Sequence, residues 1–140
     1  MKIIKIFFVS TIVFYSLLAI TCFYSCDKTE KLNGSTWVGK STFIDAEGDS
    51  GNTTIYISFT KDNADISIVL YYLDWELALG CGGKATYVCD KNDITLKVTL
   101  YSDNPFGFSN QWTGAWTGSF DKNTMTLNDV FGETVRFTKQ

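Results

Sequence analysis

Fifteen carboxylates and four cysteines are the side chains of this 140-residue sequence best able to do chemistry, and no histidine accompanies them. Histidine alone has an ordinary pKa near neutrality. Acid–base catalysis here would therefore fall to a shifted carboxylate, lysine, tyrosine or cysteine. Two carboxylate groupings qualify by spacing. Asp74 and Glu76 flank Trp75 beside Tyr71 and Tyr72, and paired acids among aromatic rings can hydrolyse glycosides; acids two apart on one short turn are more often surface groups. Asp45, Glu47 and Asp49 alternate near Gly48 and Gly51 as in a calcium loop, but Tyr56 stands where the bidentate acid is needed. The expectation is a non-enzymatic protein with no metal and no cofactor.

The cysteines divide into two pairs. Cys81 and Cys89 are separated by Gly-Gly-Lys-Ala-Thr-Tyr-Val. If the chain is exported to an oxidising compartment, a Cys81–Cys89 disulfide is the economical reading. Two cysteines without histidine are too few for a closed zinc site, and two free buried thiols are the other alternative. Cys22 and Cys26 belong to a different setting. Lys2 and Lys5 precede an uncharged, mostly apolar run from Ile6 to Cys26, which Asp27 ends. A positive start followed by an apolar core is the pattern of a secretory signal, although a run of about 20 apolar residues can also span a bilayer as an anchor helix.

Both Leu-Ala-Ile-Thr-Cys22 and Phe-Tyr-Ser-Cys26 resemble the lipobox of bacterial lipoproteins, and Cys26 opens the polar sequence Cys-Asp-Lys-Thr-Glu. Ser-Cys26-Asp-Lys is similar to the lipoprotein start common in Bacteroidetes. That resemblance implies lipidation at Cys26, with Cys22 the alternative, and an outer-membrane or cell-surface location held by acyl chains. The expected division is a signal peptide over residues 1–25, a tether over 26–33 and a domain over 34–140. Loss of Lys2 and Lys5 takes the formal charge from −3 to −5. An acidic chain without a basic run repels phosphate backbones, which argues against a nucleic-acid partner.

The elements that must position these residues are strands. Ile55, Ile57 and Phe59 alternate with polar neighbours, as do Ile66 and Ile68, and Ile94, Leu96, Val98 and Leu100; this period of two marks strands with one buried face. Weaker runs over Trp37–Phe43, Ala85–Cys89, Trp112–Phe120, Thr124–Leu127 and Thr134–Thr138 bring the count to eight. Gly-, Asn- and Asp-rich connections favour antiparallel neighbours. Eight such strands predict an all-β, up-and-down antiparallel barrel, with one helical turn over Trp75–Leu79 between Asp74 and Gly80. Trp112, Gly114, Trp116, Gly118 and Phe120 share one face, where glycine gives room for a ring or a bend.

Leu-Asn-Gly-Ser-Thr-Trp37-Val-Gly, Trp116-Thr-Gly-Ser-Phe-Asp-Lys-Asn-Thr-Met-Thr-Leu and Val-Arg136-Phe-Thr-Lys resemble lipocalin-like small lipoproteins of Bacteroidetes. The resemblance implies a barrel with a ligand-sized mouth and an early tryptophan, Trp37, under a basic residue of the last strand, Arg136. Alternation with Val135 and Phe137 nonetheless points Arg136 away from their inward face. Tyr72, Trp75, Phe106 and Phe108 fall outside the strand pattern and are the candidate ligand-binding residues of the mouth, unless these loop aromatics fold over as a plug on the core. The expected function is binding of a small apolar or saccharide ligand, or of a partner protein. Tyr87-Val-Cys89-Asp with Ile94-Thr-Leu-Lys-Val is similar to lysozyme-inhibitor lipoproteins, which makes a protein inhibitor one alternative; a structural envelope lipoprotein without ligand is another.

Overall fold

The computed structural model describes residues 29–44, 47–73, 77–101 and 112–140. Short helix α1 (Thr29–Leu32) leads into β1 (Thr36–Ile44), β2 (Ser50–Phe59), β3 (Asn63–Tyr72), β4 (Leu77–Asp90), β5 (Asp93–Tyr101), β6 (Gly114–Phe120), β7 (Thr124–Asn128) and β8 (Thr134–Lys139). Each strand pairs antiparallel with the next, and β8 returns to β1 through Trp37↔Lys139, Val38↔Thr138 and Gly39↔Phe137. The result is a closed up-and-down barrel in chain order, which leaves no strand edge open.

The alternation seen in sequence sets what is inside. Along β2, Gly51, Thr53, Ile55, Ile57 and Phe59 are buried; along β5, Ile94, Leu96, Val98 and Leu100 are buried and every residue between them is exposed. All eight strands contribute to one continuous hydrophobic core. Trp37 and Trp116 are its largest side chains, each 1% exposed. Among the described residues, these side chains line the barrel interior.

Two glycines show how the sheet bends tightly enough to close. A Cβ on Gly118 would lie 1.8 Å from the Thr126 carbonyl oxygen, and one on Gly83 would lie 2.2 Å from that of Thr99. Both contacts are with backbone, so glycine serves there for close strand approach. At Gly118 this is the bend rather than the ring pocket.

Several expectations are corrected by this register. Of the expected helical turn over Trp75–Leu79, the described residues Leu77–Leu79 are strand, paired with Leu70–Tyr72 on β3. Strand β4 also runs through the glycine-rich segment ahead of Ala85. Leu32, placed in the tether, is fully buried in the core. It is held there by the hydrogen bonds Ser35 N–H to Leu32 O (2.9 Å), Gly34 N–H to Phe59 O (2.8 Å) and Phe59 N–H to Ser35 O (2.8 Å). The folded unit therefore begins before residue 34.

The expected Cys81–Cys89 disulfide is overturned by geometry. Both residues lie on β4, and eight residues of strand span about 26 Å, whereas a bridge needs Cα atoms within about 7 Å. Both are free thiols. Burial pushes each thiol pKa up from its ordinary 9.0, which keeps them protonated and unreactive at neutral pH. Arg136 is exposed on β8 opposite Thr126, so it does not cover Trp37. Lys139 does, with Nζ 5.9 Å from the Trp37 ring centroid.

Candidate functional site

The two ends of the barrel differ. At one end the connections are short, over residues 60–62, 91–92 and 121–123, and α1 seats Leu32 beneath the strands. The opposite end carries connections 45–49, 73–76, 102–113 and 129–133. This loop end is the candidate site, because long connections on a rigid scaffold are where binding residues gather.

The interior side of the loop end is closed by aromatic rings. Tyr72 was expected in a connection, but it is the last residue of β3, opposite Gly51. It is 6% exposed and meets Phe43 edge-on at 5.0 Å between centroids. Trp112 lies 6.2 Å from Trp116 and 6.3 Å from Phe131. The Trp116 Nε1–H donates to the Trp112 carbonyl (3.0 Å), so the partner that a buried indole requires is supplied from within. Tyr72 therefore packs inward with Phe43 as a plug on the core at the end of its strand. Trp75, Phe106 and Phe108 lie outside the described residues, as do Cys22 and Cys26.

Just beneath this plug, the Thr53 hydroxyl is buried without a hydrogen-bond partner. Such a group costs about 1–3 kcal/mol.

Five of the eight large apolar side chains exposed among the described residues lie on the outer rim. Ile44, Leu73, Leu77, Tyr101 and Phe131 are 76%, 50%, 38%, 63% and 59% exposed. All five sit at or beside strand ends on this side of the barrel. Phe131 is held out by a built turn: Asp129 Oδ1 accepts from the backbone N–H groups of Phe131 and Glu133, both at 2.9 Å. Asp129 is itself buried, so its role is to shape the 129–133 connection. Sequence reasoning passed over these rim residues because each is isolated in its own hairpin, and only barrel closure brings them to one end.

The rim is also acidic. Glu47, Asp49, Asp129 and Glu133 lie in these connections, with no lysine or arginine among their described residues. The remaining positions add Asp45, Asp74, Glu76 and Asp103 and no base. Among the described residues no group of three or more His, Cys, Asp or Glu is placed to hold a metal ion. The loop end has the make-up of a contact surface: apolar projections among acidic connections.

No protein-family model matches this chain, and no curated protein matches it.

Proposed function

We propose that this protein is a non-enzymatic, lipid-anchored binding protein, exported to the outer membrane or cell surface, which takes a partner protein on the loop end of its barrel. The observation that carries the reading is the contrast between an interior lined by one hydrophobic core from all eight strands and a rim of exposed Ile44, Leu73, Leu77, Tyr101 and Phe131. A barrel that stored a small apolar ligand would keep its interior free for it. Exposed apolar groups gathered at one end favour association instead. The acids around them favour a cationic partner surface, since opposite potentials steer encounter and reject like-charged competitors.

Two experiments test the proposal. A photo-cross-linking residue at Tyr101 is expected to yield a discrete protein adduct in the producing cell. The same residue at Val88, 72% exposed but on the barrel wall, is expected to yield none. Equal labelling at both positions, or none at either, overturns the loop-end reading. For the anchor, Cys26→Ala is expected to release the protein from membranes and Cys22→Ala to leave it bound; the reverse result moves the lipid to Cys22.

A further inference from the structure

At the opposite, short-turn end lies a recess of about 480 Å³ that the loop-end reading does not use. Three of its lining residues are lysines from separate segments: Lys31 in α1, Lys122 in the β6–β7 turn and Lys139 at the end of β8. Trp37 and Phe120 supply its apolar floor, and Asp121 is the one carboxylate lining it among the described residues. That carboxylate is already engaged by its own turn. Asp121 Oδ1 accepts from the backbone N–H groups of Asn123 (2.9 Å) and Thr124 (2.8 Å), and Oδ2 accepts from the Thr124 hydroxyl (2.8 Å). Among the described residues none of the three lysines forms an ion pair. Asp62, Asp90 and Asp93, on neighbouring turns, do not line the recess.

Three lysines from separate segments on one recess supply positive charge that an anion seated there would neutralise. A tetrahedral phosphate presents acceptor oxygens in several directions, and lysine binds it as a point charge without demanding planar geometry. The recess is also much larger than a bare phosphate, and its floor is aromatic. Those features fit a phosphate that carries a further, partly apolar group.

We propose that this recess is a phosphate-binding site that takes the headgroup phosphate of an anionic lipid, seating the barrel with its loop end turned outward. The phosphate half stands on the recess alone; the lipid half rests on the anchor proposed at Cys26. Lys31 lies five positions after Cys26, a reach of at most about 18 Å in extended chain. An acylated Cys26 would therefore hold this end close to the headgroups, where each basic residue is attracted to an anionic surface.

The test uses full-length protein extracted in zwitterionic detergent, titrated with inorganic phosphate and, by native mass spectrometry, with phosphatidylglycerol against phosphatidylcholine. The expected result is one bound phosphatidylglycerol, at least about tenfold preferred over phosphatidylcholine, with weaker competition by phosphate. The triple variant Lys31→Gln/Lys122→Gln/Lys139→Gln is expected to lose that preference while melting within a few degrees of the parent. Lys61→Gln/Lys91→Gln, on the same end but outside the recess, is expected to keep it. Phosphate binding with no preference between the two lipids overturns the headgroup assignment. Preference unchanged in the triple variant, or no binding of either probe, overturns the site. If Cys26 proves unmodified, these titrations still read the recess, so failure of the anchor and failure of the site are separate results.

Discussion

Lys139 and Trp37 face each other across the seam that closes the barrel, with the ammonium 5.9 Å from the ring centroid and the two residues paired in the β1–β8 register. Trp37 also donates its Nε1–H to Ser35 Oγ at 2.8 Å, and Ser35 Oγ–H donates in turn to the Leu32 carbonyl. One indole thus joins α1, the first strand and the last.

That arrangement orders three substitutions. Trp37→Ala removes a fully buried ring and is expected to cost about 3–5 kcal/mol. Lys139→Ala removes one exposed cation–π contact and is expected to cost under about 1 kcal/mol. Arg136→Ala, on the outer face, is expected to change stability less than Lys139→Ala. Denaturant unfolding of the three variants checks the order; a larger loss for Arg136→Ala would place the wrong cation over the tryptophan.

Cys81 and Cys89 are expected to remain thiols in the folded protein. Mass mapping without reductant should recover both unlinked, and alkylation at neutral pH should be slow until the protein is unfolded. Recovery of a Cys81–Cys89 linked peptide would contradict the continuous strand that carries both.

The sequence made the barrel legible wherever side chains alternate. Ile94 to Leu100 reads as a strand because each second residue is apolar, and the structure places every one of those inside. It failed where that signal is missing. Gly80, Gly82 and Gly83 have no side chains to show a period, so the first half of β4 was invisible, and Cys81 and Cys89 could be paired without regard to the strand between them. Tyr72 was assigned to a mouth because Tyr-Tyr-Leu-Asp-Trp-Glu lacks alternation. Its inward direction comes from pairing with Gly51, a relationship 21 positions away that only the closed sheet supplies. The rim was illegible for the same reason.

Stability should fall at both extremes of pH. Backbone N–H groups of Asn123 and Thr124, with the Thr124 hydroxyl, hold the Asp121 carboxyl below its ordinary 3.8. Its contribution is therefore complete above that value and is lost as pH falls through the lowered folded value. On the alkaline side, burial raises Tyr87 above 10.0, helped by Cys89 and Asp62, and burial raises both thiols above 9.0. The neutral forms are the ones the fold accommodates, so their contribution is lost as pH climbs past those ordinary values. Thermal melts across pH are expected to show both declines, and Asp121→Ala should flatten the acid one. An unchanged acid limb in that variant would count against the turn.

Thr53→Val should raise the melting temperature. The substitution exchanges a buried, unpartnered hydroxyl for a methyl group of similar size, removing a cost of about 1–3 kcal/mol. A clear loss of stability would mean that the hydroxyl has a partner, such as an ordered water.

The loop end separates plug from rim, and the two should respond differently to substitution. Tyr72→Ala opens a void beneath the connections and breaks the edge-on contact with Phe43, so it is expected to cost about 3 kcal/mol or more. Leu73 follows it directly in the chain but is half exposed, and Ile44 is 76% exposed. Surface substitutions away from structural features usually stay within about 0.5 kcal/mol. The double variant Ile44→Ser/Leu73→Ser is therefore expected to melt near the parent while abolishing the cross-link formed from Tyr101. If the double variant melts early, these side chains belong to the plug. If it melts normally and the cross-link persists, the partner does not read the apolar rim, and the binding proposal fails at the residues that motivated it.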